Sequence, residues 1–128
     1  MKKITILLVI IFTFLFSTTS WGEWSYVSES VKGKMYYDKD RIRKGGKFIY
    51  FWMLNDLFEP YERSMSFTTY IELDCSIFRF RGLEYQFYSK SRGEGENTFP
   101  MTPDKEWRYP KPNTPFEYTF NIICEEHQ

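Results

Sequence analysis

"TPFEYTFNIICEE" (Thr114–Glu126) is the stretch on which the fold turns. Thr114 is a good helix N-cap. Pro115 suits the first helical position, where its missing N–H costs nothing. Glu117 stands three residues after Thr114, which completes a capping box. Phe116, Phe120, Ile123 and Cys124 then recur at i, i+4, i+7 and i+8, one face of a helix. That apolar face needs a partner, and one of its members is a cysteine. Upstream the only other cysteine is Cys75.

Working outward, the rest of the chain offers a sheet as the partner. It contains 13 phenylalanines and 10 tyrosines, mostly in short runs with Thr, Ile and Arg. Flat and β-branched side chains suit a pleated surface. "EWSYVSES" (Glu23–Ser30) alternates and reads as a first strand, and "KMYYD" (Lys34–Asp38) as a short second one. "DKDRIRKGGK" (Asp38–Lys47) reads as a polar connection. "KFIYFWMLND" (Lys47–Asp56) is apolar on both faces, so it is expected to be central and covered on both sides; a buried helix is the competing reading. Pro60 and its acidic neighbours predict a loop over Asn55–Ser64. In "SMSFTTYIELDC" (Ser64–Cys75), Met65, Phe67, Thr69, Ile71 and Leu73 are expected to face the core; Ser66, Thr68, Tyr70, Glu72 and Asp74 are expected to face away. "IFRFRGLEYQFYS" (Ile77–Ser89) is the next strand, with a bulge expected at Gly82. Lys90–Asn113, rich in Gly and Pro, is a long connection with room for a short edge strand around Trp107.

The chain starts with a different kind of segment. Lys2 and Lys3 precede an apolar run of 13 residues, Ile4–Phe16, and then the small polar Ser17–Ser20. That is the order of a secretory signal peptide, and the run is short of the roughly 18 residues a membrane span needs. Cleavage is expected after Gly22, with Ser20 as the alternative, leaving one domain over 23–128. An uncleaved N-terminal anchor is the competing reading. No cysteine stands at the junction to carry a lipid, so no stable membrane anchor is expected after cleavage and a periplasmic or secreted location is. Setting aside Lys2 and Lys3, the 17 basic residues fall to 15 against 17 acidic ones, which argues against a nucleic-acid binder.

In an exported chain two cysteines are most simply one disulfide, Cys75 to Cys124. Closing about 50 residues, it is worth on the order of 4 kcal/mol in the chain-entropy model. Two free thiols are the alternative.

Catalytic and metal-binding patterns are missing from the sequence. His127 is the single histidine and nearly terminal. No zinc spacing and no phosphate-binding glycine loop before a helix is present, "RGEGEN" (Arg92–Asn97) included. No enzyme, cofactor or metal is therefore expected. Glu72, Asp74 and Glu84 are the one set of neighbouring carboxylates, read as a solvated face paired with Arg79 or Arg81. Seven basic residues fall within the 16 positions Lys32–Lys47. Of these Arg41, Arg43, Lys44 and Lys47 form the candidate partner-binding segment, against the alternative of a solvated turn. Tyr36, Tyr37, Tyr70, Tyr85 and Tyr88 are the aromatics available for contact, against partial burial.

Taken together, Trp24, "YYDKDRIRKGG" (Tyr36–Gly46), Trp52, "YIELDC" (Tyr70–Cys75), Trp107 with prolines after it, and Cys124 in a terminal helix resemble the surface-adhesin protein E family. The resemblance implies an α+β fold, an antiparallel sheet of about six strands with the C-terminal helix across one face, held by a disulfide. It also implies a non-enzymatic binding module for host matrix or serum proteins such as laminin or vitronectin, and a homodimer as a further state. A periplasmic structural or assembly protein, binding another envelope component or itself, is the alternative role.

Overall fold

The computed structural model describes residues 23–127; the segment read as an export signal lies outside them. Six antiparallel strands form one sheet: β1 (Ser25–Glu29), β2 (Gly33–Tyr37), β3 (Arg43–Gly45), β4 (Phe48–Tyr61), β5 (Ser64–Asp74) and β6 (Arg79–Tyr88). Their order is β1-β2-β4-β5-β6, and β3 pairs with β4 in line with β2. The chain ends in one α-helix, α1 (Pro115–His127). The α+β architecture that the resemblance implies, with the helix and strands read from periodicity, is the one observed.

Helix α1 starts as its residues dictate. The Glu117 N–H donates to Thr114 Oγ1 at 3.3 Å. The return bond of the capping box lands one residue earlier than expected, on the Asn113 N–H, at 3.2 Å. Phe120 and Ile123 are fully buried against Ile49, Phe51, Met53, Ile71 and Leu73 of the central strands. Phe120 meets Phe51 edge-on at 5.9 Å and Phe80 at 4.8 Å. Cys124 is joined to Cys75, with the two Cα atoms 5.8 Å apart. The bond therefore clamps the last turn of α1 to the chain just after β5.

Four expectations are corrected. Asn55–Ser64 is not a loop: β4 runs through it to Tyr61 and turns over Glu62 and Arg63, both at positive φ (48° and 61°). Two successive residues at positive φ make the type I′ geometry that matches strand twist. Pro60 is accommodated because pairing with β5 is interrupted between Asp56 and Tyr61. The connection Asp38–Lys47 is not without structure either. It holds a 3₁₀ turn, Lys39–Arg41, whose Asp40 N–H is capped by the Asp38 side chain, and then β3, which returns onto β4 through Gly46 at φ 65°. Trp107, by contrast, lies in no strand; Arg108 makes a single bridge to Phe80.

The fourth correction concerns β5. Its polar side is covered. Ser64, Ser66, Thr68, Glu72 and Asp74 are all buried. The 3₁₀ turn Ser91–Gly93 lies over one end, where Ser66 Oγ donates to Lys90 O at 2.6 Å and accepts from the Gly93 N–H at 2.9 Å. The expected bulge in β6 is present: the register shifts at Gly82, where a Cβ would stand 2.5 Å from Tyr85 Oη.

Candidate binding face

The helix covers one face of the sheet. The other carries Phe48, Tyr50, Trp52 and Leu54 from β4, set across from Asp74, Glu72, Tyr70 and Thr68 of β5. On β6 the partners of those β5 residues are Arg79, Arg81, Glu84 and Gln86. Period-2 alternation therefore lays an aromatic row beside a row of charged and amide groups.

At one end the charges are neutralised and capped. Glu72 accepts from Arg81 Nε at 2.6 Å and from Tyr50 Oη at 2.7 Å. Asp74 accepts from Ser76 Oγ at 2.6 Å and from Arg79 Nε at 3.2 Å. The Ser76 hydroxyl, more than the arginine, holds the Asp74 carboxyl below the usual carboxylate range. The indole of Trp107 lies over both guanidinium groups, 4.3 Å from Arg79 and 4.4 Å from Arg81. The pairing with arginine expected for these acids is thus present, but beneath a tryptophan rather than in water. Glu84 is exposed and takes its hydrogen bond from Gln86. The three carboxylates share no site.

In the middle, Tyr70 packs on Trp52 at 4.9 Å and on Tyr50 at 6.1 Å. Arg43 reaches in from β3, donating to Tyr70 Oη at 3.1 Å and standing 5.6 Å from the Tyr50 ring. Hydrogen bonding to Glu72 raises the Tyr50 phenol above its ordinary value, so it remains a donor. At the far end is a cavity of about 280 Å³ lined by Trp24, Asp38, Arg41, Trp52, Thr68, Gln86 and Tyr88.

The basic segment is split by its own hairpin. Arg41 and Arg43 belong to the free face. Lys44 pairs with Ile49, a helix-side position, and is exposed. Lys47 sits in the β3–β4 turn with its Nζ 5.3 Å from the Phe48 ring. Of the five tyrosines singled out, Tyr36 and Tyr37 are buried; Tyr70, Tyr85 and Tyr88 are half-buried. Trp24 and Gln86 escaped sequence reasoning as site residues. Their strands were legible, but the strand order and register that set them around one cavity were not.

On the helix side, past the end of α1, a groove of about 590 Å³ is walled by Leu57, Phe58, Tyr61, Phe67, Phe87 and Met101 among others. Phe58 and Tyr61 are each about half exposed.

A family model, surface-adhesin protein E, matches residues 24–125. The chain belongs to the surface-adhesin protein E family. Solved structures share the fold. Crystal form II of Haemophilus influenzae protein E superposes with a TM-score of 0.68 at 20% identity, over 86% of this chain and 93% of that one. A second structure of H. influenzae protein E gives 0.67 at 20% identity, over 86% and 89%. Protein E from non-typeable H. influenzae gives 0.61 at 20%, over 85% and 79%. At that identity the likeness is one of fold. No curated protein matches the chain in sequence. Family membership makes this a surface-adhesin domain and implies exposure outside the cytoplasm. Among the described residues no helix is long and apolar enough to cross a membrane, and no group of three or more side chains is arranged to hold a metal ion.

Proposed function

We propose that this adhesin-family domain is a non-enzymatic, extracytoplasmic binding module whose ligand is a host matrix or serum protein. The ligand lies on the sheet face opposite α1, with Arg41 and Arg43 on that face and Lys44 and Lys47 on the hairpin at its edge. Residues 1–22 serve as a cleaved export signal. The observation that carries the reading is Arg43: an exposed cation joined to Tyr70 and set over Tyr50 connects the basic hairpin to the aromatic row. Aromatic residues and arginine are the side chains enriched where proteins meet, and a cationic rim steers an acidic partner and speeds its association.

The test is binding of the exported protein to surfaces coated with laminin or vitronectin. Replacing Arg41, Arg43, Lys44 and Lys47 together by Ala lowers the association rate about tenfold and flattens its salt dependence. Unchanged binding by that variant removes the segment from the site.

A second reading, contact with another envelope protein or with a second copy of this chain, is favoured by the groove beside Phe58 and Tyr61. Sedimentation at high concentration tests self-association; a monomer throughout counts against it.

A further inference from the structure

The cavity at the far end of the free face has a chemistry that a protein ligand on the basic margin does not use. Its walls are three aromatic side chains from three strands or their starts: Trp24 before β1, Trp52 in β4 and Tyr88 in β6. Its polar groups are already held in position. Asp38 is only 4% exposed, accepts from the Asp40 N–H at 3.2 Å, and lies 3.5 Å from Arg41 Nε. The Gln86 amide accepts from Tyr88 Oη at 2.6 Å and donates to Glu84 at 2.8 Å. One carboxylate and one guanidinium leave the lining without net charge. A volume of about 280 Å³ is just below the range of roughly 300–1,000 Å³ for small-molecule sites. It admits a single ring.

These features narrow the ligand class. A purely apolar ring would strip water from Arg41 and Gln86 and return no hydrogen bonds. A strongly charged group meets a carboxylate and a guanidinium that already neutralise each other. A pyranose ring meets both demands. Its C–H face carries the positive polarisation that the negative face of an indole or phenol attracts. Its vicinal hydroxyls can donate to Asp38 and accept from Arg41 and Gln86.

Trp52 of the cavity also belongs to a row of rings, a track along the face. Trp52 packs on Tyr70, and Tyr70 stacks on Tyr50. Trp52 and Tyr50 are alternate residues of one strand, about 6.8 Å apart, the scale of one sugar ring. The track ends where Trp107 closes over Arg81.

We propose that the cavity and the Trp52–Tyr70–Tyr50 track bind a neutral linear glycan, with one pyranose in the cavity and the following rings along β4. This rests on the free face being the binding face; of the basic segment it uses only Arg41, and it does not rest on a protein ligand.

The test is calorimetric titration of the exported protein with neutral oligosaccharides in two arms. Glucan and N-acetylglucosamine oligomers represent envelope polysaccharide; mannose and N-acetyllactosamine oligomers represent host glycoproteins. Saturable binding in at least one arm is expected, tightening with oligomer length to a plateau. Trp24→Ala and Gln86→Ala, at a sheet edge and on a surface position, each weaken it at least about tenfold, or about 1.4 kcal/mol, with the melting temperature checked for each. Glu125→Ala, on the exposed side of α1, leaves it unchanged. The proposal is overturned if neither arm binds, or if Trp24→Ala and Gln86→Ala bind as tightly as the parent. It is equally overturned if only sulfated or uronic polymers bind. A protein partner lost by the four-residue basic variant but kept by Gln86→Ala would stand even if the glycan reading fell.

Discussion

Asp74 and Gly33 show how far single residues reach. The Asp74 carboxylate is fully buried and is held ionised mainly by Ser76, then by Arg79. Its folded pKa lies below the ordinary value of about 3.9. The stabilisation is therefore complete above that ordinary value and is lost as pH falls through the lower folded one. Acid titration followed by circular dichroism should show unfolding that steepens below about pH 4. Asp74→Asn should be less stable at neutral pH and should lose part of that slope. Gly33 is demanded by contact rather than by torsion: a Cβ there would lie 2.1 Å from the carbonyl oxygen of Asp56, on the paired strand β4. Gly33→Ala must separate the two backbones and should cost about 2–3 kcal/mol in a denaturant titration. The need for that glycine was invisible in sequence, because the residue it meets is 23 positions away.

Among the elements, α1 was legible in full. Its cap, its first-turn proline and its apolar spacing are local signals, and each operates where expected except for the one-residue shift of the Glu117 bond. Phe120→Ala should destabilise by about 3–5 kcal/mol, since the ring is fully buried between Phe51 and Phe80. Thr114→Ala should cost only about 1 kcal/mol. Thermal melts of the two variants read that ratio; equal losses would place the cap, not the packing, in charge. The strands were read less well. β4 continues through Pro60 because the break in its pairing with β5 tolerates a residue without an N–H. β3 escaped notice because its three residues, two of them basic and one glycine, carry no alternation; only the register with β4 makes them a strand.

For the molecule as a whole the disulfide is the tether between its two layers. The helix presses on the sheet through one apolar stripe, and Cys75–Cys124 holds that stripe down at its far end. Reduction should lower stability by on the order of 4 kcal/mol in the chain-entropy model, read as a shift of the urea midpoint with and without reductant. Because the helix side and the free face share β4 and β5, reduction should also loosen the aromatic row. Two outcomes follow at once: an earlier unfolding midpoint and weaker ligand binding.

Local chemistry was enough to determine the amphipathic helix, the aromatic strands, the pairing of the two cysteines and the α+β class. Each depends on residues near in sequence or on a count of two. The binding face is a different matter. Trp24, Asp38, Arg41, Trp52, Gln86 and Tyr88 come from both ends of the sheet, and only strand order and register bring them around one cavity. The burial of Glu72 and Asp74 likewise depends on Trp107, 33 residues beyond Asp74, folding back over their arginines. Side-chain alternation states which residues share a face. What covers that face is decided by the distant chain that packs there.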